Sequence, residues 1–383
     1  MNTESMLRKL VGFDTTSRES NLALIDFVSD YLEGHGVDSR LVMDEEGTKA
    51  NLWATIGPDT ADGVILSGHT DCVPVDEQPW STDPFTLTAT GDRWFGRGTS
   101  DMKTFIAAAL AAVPAFAAGP LRRPVHLALS YDEEVGGAGA RGLVSDLAAR
   151  GVAAESCVVG EPTSMRVVVA HKGIFVFEAE VRGSEAHSSL APRAVNASEY
   201  AARLLVEIQD LGREKAAAGP FDDGFDVTHT TFHAGVIEGG IALNIVPRRA
   251  RLEFEFRHLP GDEPGAIRDR IDRIVSRLNA EMAESNEECG LDIEQRAHLP
   301  ALDTAPDSAV VAAVRPLTDA ASLGKVAYGT EAALFAGDLG VPTVVCGPGS
   351  IEQAHKPDEY IEVSQVTACD RFMERLAGRL AAD

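Results

Sequence analysis

The stretch SYDEEVGG, residues 130–137, sets the hardest condition on any fold this chain can adopt. Asp132, Glu133 and Glu134 stand directly behind VHLAL, a short continuous apolar run that gives way to glycines, as a buried strand does. Carboxylates this close raise one another's pKa, and desolvation adds to the cost. Arginines, water or a metal ion must therefore offset the three charges. The rest of the chain has to supply one of these.

Other segments repeat the pattern of an apolar run ending in charge. VILSGHTD (64–71) and SCVVGEP read as buried strands that end in potential ligands, and VPTVVCGPGS (341–350) is a further strand. NLALIDFVSDYLEGHG reads as an amphipathic helix closed by Gly34 or Gly36. TFIAAALAAVPAFAA reads as a buried helix interrupted at Pro114. This β-α-β alternation predicts an α/β fold with a mainly parallel sheet covered on both faces.

The middle of the chain follows a different rule. IFVFEAEVRG (174–183) and RLEFEFRHLP (251–260) alternate apolar and charged residues, the period of half-exposed strands. Helical stretches, NASEYAARLLVEIQDLG and DEPGAIRDRIDRIVSRLNAEMAE, follow the two strands. We expect a small α+β domain at 173–289, inserted into a discontinuous larger domain of residues 1–172 and 290–383. Two domains also suit 383 residues, since single cores stop growing near about 250–300.

Charge and composition exclude some partners. The net charge of −25 repels nucleic acid and anionic membrane. No run of apolar residues is long enough for a membrane span, and MNTESMLRKLVGFDTTS has no long apolar segment, so a cytoplasmic protein is expected. The five cysteines are scattered without a C-x-x-C pair, which points to a reducing compartment and away from a cysteine zinc site.

The candidate ligands fall at strand ends. His69 and Asp71 close one strand, Glu133 and Glu134 another and Glu161 a third, while Asp101 follows GRGTS and His355 follows the GPGS segment. Open α/β sheets bind ligands at the carboxyl edge of their strands. Oxygen and imidazole donors suit zinc, cobalt or manganese, and a bridging carboxylate would let two ions sit side by side. His35, His126, His171, His258 and His298 read as packed or surface residues. His229 and His233, four apart in what reads as a strand, share no face with a carboxylate cluster and read the same way.

These residues lie in motifs that resemble the M20 family of metallopeptidases and deacylases nearly end to end. The motifs are SGHTDCVP (67–74), GRGTSDMK (96–103), SYDEEVGG, GEPT (160–163), GSEAHSS (183–189), GGIALNIVP (239–247) and YGTEAALF with GPGSIEQAHKPDE. GEPT, AHKG, EAHSS and GPGSIEQAHKPDE are most similar to the acetylornithine deacetylase branch of that family. The resemblance implies a zinc-hydrolase catalytic domain with an inserted lid and dimerisation domain. It implies two divalent ions, zinc first and cobalt second. His69 and Glu161 would hold one and Glu134 and His355 the other, with Asp101 bridging. It makes Asp71 the residue that orients His69, Glu133 the general base and His187 an oxyanion donor. It also implies a cis peptide at Asp101–Met102. Asn244 and Arg257 become candidates for binding an N-acyl amino acid, and Gly349 and Ser350 would offer backbone N–H groups to its carboxylate. Asp132 receives no role. The implied reaction is deacylation of an N-acyl amino acid, and the implied assembly is a homodimer through the inserted domain.

Overall fold

The computed structural model describes residues 1–60 and 62–382. The chain divides into two compact units: Met1–Ala170 with Leu302–Lys325 and Thr330–Asp383, and His171–Ala301 with Val326–Gly329.

The first unit is built on a mixed sheet whose middle is parallel. Its central order is Val125–Ser130, Val64–His69, Ser156–Pro162 and Thr343–Gly347, all parallel neighbours. Ala50–Ile56 and then Ser39–Met43 add antiparallel on one side, and Val168–His171 adds antiparallel on the other. The expectation of a mainly parallel sheet therefore holds for the centre, and the flanks make the whole sheet mixed. The central strands are buried on both faces, which is why they read as unbroken apolar runs. Val64, Leu66, Val125, Leu127, Leu129 and Val158 pack into one core with the helices Thr3–Val11, Lys103–Ala118 and Val363–Ala381. The alternate residues Ile65, Cys157 and Val159 are buried outside that core. On the sheet also lie the helices Ala138–Ala149 and Ala332–Gly337.

The Lys103–Ala118 helix runs through Pro114 without interruption. Proline removes one i→i−4 hydrogen bond. Leu110, Val113 and Phe116 are buried around that position, and their packing holds the helix.

The second unit is an antiparallel sheet in the order Thr231–Gly239, Arg249–His258, Gly173–Arg182, Gly290–Leu299. Phe177, Val181, Leu252, Phe254 and Phe256 face the helices Ala197–Ala218 and Pro264–Ser285 through Leu204, Ile208, Ile271, Leu278 and Met282. The opposite face carries charge. Glu178 and Glu253 stand directly across from each other, and Arg251 and Arg296 reach Glu178 at 2.9 and 3.1 Å. The expected boundary at residue 289 is too early. Gly290–Leu299 pairs along Gly173–Arg182 and completes this sheet, so the strand belongs to the second unit. It was hard to read because a bulge between Gln295 and Ala297 breaks its alternation, and its middle residues are mostly exposed. Of the two histidines placed on one strand, only His233 lies in it; His229 precedes it. All five cysteines are free and buried. No helix of the described residues is long and apolar enough to cross a membrane.

The central strands approach closely at two glycines. A Cβ on Gly347 would lie 1.9 Å from the Gly160 carbonyl oxygen of the neighbouring strand. Gly347→Ala should cost more than the roughly 1–3 kcal/mol typical of overpacking, since backbone rather than a side chain must move. Gly378→Ala, on an exposed helix face with nothing within 4 Å, should instead stabilise by about 0.5–1 kcal/mol. Urea midpoints of the two variants check both expectations.

Candidate metal centre

The parallel strands deliver their last residues to one edge. His69 is the final residue of its strand and is buried. Glu161 lies one residue from the end of Ser156–Pro162, and the loop behind Val125–Ser130 carries Asp132, Glu133 and Glu134. Asp101 precedes the Lys103–Ala118 helix, and the Asp101–Met102 peptide is cis, as the resemblance implies.

These side chains converge. One oxygen of Asp101 lies 3.0 Å from His69 Nε2, and its other oxygen lies 3.3 Å from His355 Nε2. Glu161 stands 3.7 Å from His69 Nε2, and Glu134 stands 3.1 Å from His355 Nε2. Ligand atoms of His69, Glu133 and Glu161 lie within 4.8 Å of one another, as do those of His69, Asp101 and Glu134. His355 is the exposed member, its side chain 47% accessible against 1% for His69.

The two adjacent glutamates differ in what they touch. Glu134 meets His355. Among the described residues nothing hydrogen-bonds the Glu133 carboxylate. Asp71 fixes the loop that separates them: its oxygens accept from the Glu133 and Glu134 backbone N–H groups at 3.2 and 3.3 Å and from Ser17 Oγ at 2.8 Å. His69 Nδ1 is closer to the Asp71 backbone carbonyl, at 3.0 Å, than to its carboxylate, at 3.5 Å. Asp71 therefore steers the imidazole chiefly through its main chain. Asp132 adopts a left-handed conformation, φ 55°, and pairs with Lys49 at 2.6 Å.

Charge is unbalanced here. Burial pushes Glu133 and Glu161 well above the usual carboxylate range, and neighbouring acids add to it. Burial likewise raises Glu134, with Asp101 adding and His355 opposing. Burial disfavours a charged His69, but Asp101, Asp71 and Glu161 override it and raise its pKa well above that of a free imidazole. Asp101 and Glu134 push His355 up to about 10 against burial. The charged partners of the Asp101, Glu133, Glu134 and Glu161 carboxylates among the described residues are the two imidazoles alone. Such a donor set, short of positive charge and holding both oxygen and nitrogen ligands, fits divalent cations.

The second unit carries three of the remaining expected site residues. His187 and Asn244 are in the second unit, where Ser188 N–H donates to the Asn244 carbonyl at 3.0 Å. Arg257 is on Arg249–His258 and donates to Glu255 at 2.8 Å. Gly349 and Ser350, expected to offer backbone N–H groups to a substrate carboxylate, make hydrogen bonds within the first unit. Gly349 N–H already donates to Gln365 at 3.3 Å and Ser350 N–H to Ser100 Oγ at 3.2 Å. Other supporting residues went unread in the sequence. Glu331 is fully buried and accepts from Ser67 and Ser130, both at 2.6 Å, on the two strands that carry His69 and the acidic loop. Arg97 and Glu359 form a second buried group. YGTEAALF and HKPDE contain both acids, but no short-range pattern marks either.

Comparison with known proteins places the chain in a family. The pattern of peptidase family M20/M25/M40 matches residues 65–379. The acetylornithine deacetylase of Myxococcus xanthus is 35% identical over 96% of this chain and 95% of its own. That of Salmonella arizonae is 35% identical over 90% of this chain and 87% of its own. Among solved structures, the M20 metallo-carboxypeptidase Sso-CP2 of Sulfolobus solfataricus superposes with a TM-score of 0.81 over 100% of this chain and 99% of that one, at 19% identity. The YXEP protein of Bacillus subtilis, a dinuclear metal binding peptidase, superposes with a TM-score of 0.65 over 98% and 96% at 16% identity. At such identities the solved structures speak to the fold alone. With the match to 65–379 and full-length relatives above 30% identity, the chain belongs to peptidase family M20/M25/M40.

Proposed function

We propose that the chain is a dinuclear metal-dependent amidohydrolase that converts N2-acetyl-L-ornithine to L-ornithine and acetate, a step of arginine biosynthesis in the cytoplasm. The observation that carries the metal reading is Asp101, which sets one carboxylate oxygen against each of two imidazoles. The substrate reading rests on full-length relatives of 31–35% identity that bear the acetylornithine deacetylase name.

His69, Glu161 and Asp101 would hold one ion, and Glu134, His355 and Asp101 the other. Two divalent ions, zinc in our reading and cobalt as its substitute, would supply Lewis acidity that polarises the amide carbonyl and lowers the pKa of water from about 15.7 towards 7. Glu133 then acts as the base. Its carboxylate has no hydrogen bond to give up among the described residues, and the hold of Asp71 on the Glu133 and Glu134 amides keeps the pair pointing to different tasks. Glu133 takes a proton from the attacking water and returns it to the leaving amine.

The second unit supplies substrate contacts in this reading, with Arg257 and Asn244 as candidates, and serves as lid and dimer interface. His187 Nδ1 accepts from the Ser189 backbone N–H at 3.2 Å. A neutral His187 ring therefore carries its proton on Nε2, the form an oxyanion donor needs.

Dialysed enzyme should contain up to two divalent ions per chain, and chelator should abolish activity. Supplied with zinc or cobalt, it should turn over N2-acetyl-L-ornithine with higher kcat/KM than N-acetylmethionine, succinyl-diaminopimelate or dipeptides. Preference for any of the others would replace the substrate reading; an active enzyme free of metal would end the mechanism. Glu133→Gln should keep its metal and lose about 10²–10⁴ in kcat, whereas Glu134→Gln should lose metal as well. Near-wild-type rates in both would overturn this assignment of roles.

His187→Ala should lower kcat by about 10²–10³ with metal content intact. If the donor crosses a two-fold dimer, mixing inactive His187→Ala and Glu133→Gln subunits should restore about a quarter of wild-type activity. Demonstrated subunit exchange without recovery would confine His187 to its own chain.

A further inference from the structure

We infer that Arg97 and Glu359 are a positioning pair that sets the outer half of the metal centre, formed by Asp101, Glu134 and His355. The inference rests on the metal-centre reading above. Both side chains are 1% accessible and meet at 2.7 Å. A buried ion pair contributes little net stability by itself, because desolvation cancels most of the attraction. What distinguishes this one is where its spare hydrogen-bonding groups go.

The second carboxylate oxygen of Glu359 accepts from the backbone N–H groups of Ser100 and Asp101, at 2.8 and 3.1 Å. The Glu359 carbonyl accepts from Gly96 N–H at 2.9 Å. Arg97 in turn donates to the carbonyls of Lys356 and Pro74 and, at 2.6 Å, to Gln78 Oε1. Gln78 Nε2 donates to the His355 carbonyl at 3.2 Å. One buried pair thus grips the main chain at Asp101 and, through Gln78 and Lys356, at His355 and the residue after it.

The two halves of the centre need this to different degrees. His69 and Glu161 belong to paired strands of the central sheet, with His69 in register with Ser130 and Pro162 with Gly347. Their backbone is fixed without help. His355 sits outside any strand or helix, half-exposed, in a left-handed conformation with φ 61°. Asp101 lies in the turn before its helix. Removing the pair should therefore loosen His355, which serves the outer ion alone, and Asp101, which both ions share, while His69 and Glu161 stay in place, so the outer ion loses more.

The test is zinc binding by calorimetry to full-length protein stripped with chelator, with cobalt absorption as a second readout and thermal unfolding as a fold check. Wild type should take up two ions. Glu359→Gln, which leaves one oxygen for the work of two, should bind the weaker ion about 10–100-fold less tightly and lose distinctly less affinity for the tighter one, which depends on the pair through Asp101 alone. If Glu359→Gln fails to fold, Gln78→Ala is decisive, since it removes the link to His355 without touching a charge, and the same selective loss is expected. Unchanged affinity for both ions, or equal weakening of both, overturns the proposal. Wild-type protein that takes up no ion removes the metal-centre reading itself, and this inference with it.

Discussion

The structure is organised around a surplus of negative charge at one sheet edge. Asp101, Glu133, Glu134 and Glu161 are gathered where, among the described residues, only two imidazoles answer them, and this arrangement is costly without further cations. A sheet tolerates it because the charges sit at or just past the strand ends while the strands remain apolar through both faces. The fold supplies rigidity from below: Glu331 ties the two strands that carry His69 and the acidic loop, and Asp71 fixes the loop from the side.

Much of this was legible because burial and charge alternate sharply along the chain. An apolar run that ends in H-x-D, D-E-E or G-E-P marks a strand end with ligands, and each such end does arrive at one edge. The period of two in IFVFEAEVRG and RLEFEFRHLP equally marked a one-faced sheet, and the charged residues do form its open face. Local patterns of this kind carry their meaning within ten residues.

What was not legible depends on partners far apart in sequence. Arg97 and Glu359 are 262 positions apart, and nothing near either marks it as buried. Ser350 in the GPGS turn likewise meets Ser100, 250 positions away. Gly290–Leu299 lost its alternation to a bulge and to exposure at a sheet edge. Asp71 adds a contact of the same kind: its carboxylate serves two amides in another loop, which no spacing rule could announce.

The division of the first unit in sequence has a consequence for how the protein is made. His69, Asp101, Glu133, Glu134 and Glu161 all precede the second unit, while His355 and the Val363–Ala381 helix follow it. Phe372, Met373, Leu376 and Leu380 of that helix share a core with Met6, Leu10, Phe105 and Leu110 from the opening third of the chain. During synthesis the acidic ligands therefore emerge long before the imidazole that answers two of them, and before the helix that seals their core. The nascent first unit has to wait, with its acids solvated and its apolar helices uncovered, until more than a hundred further residues have left the ribosome.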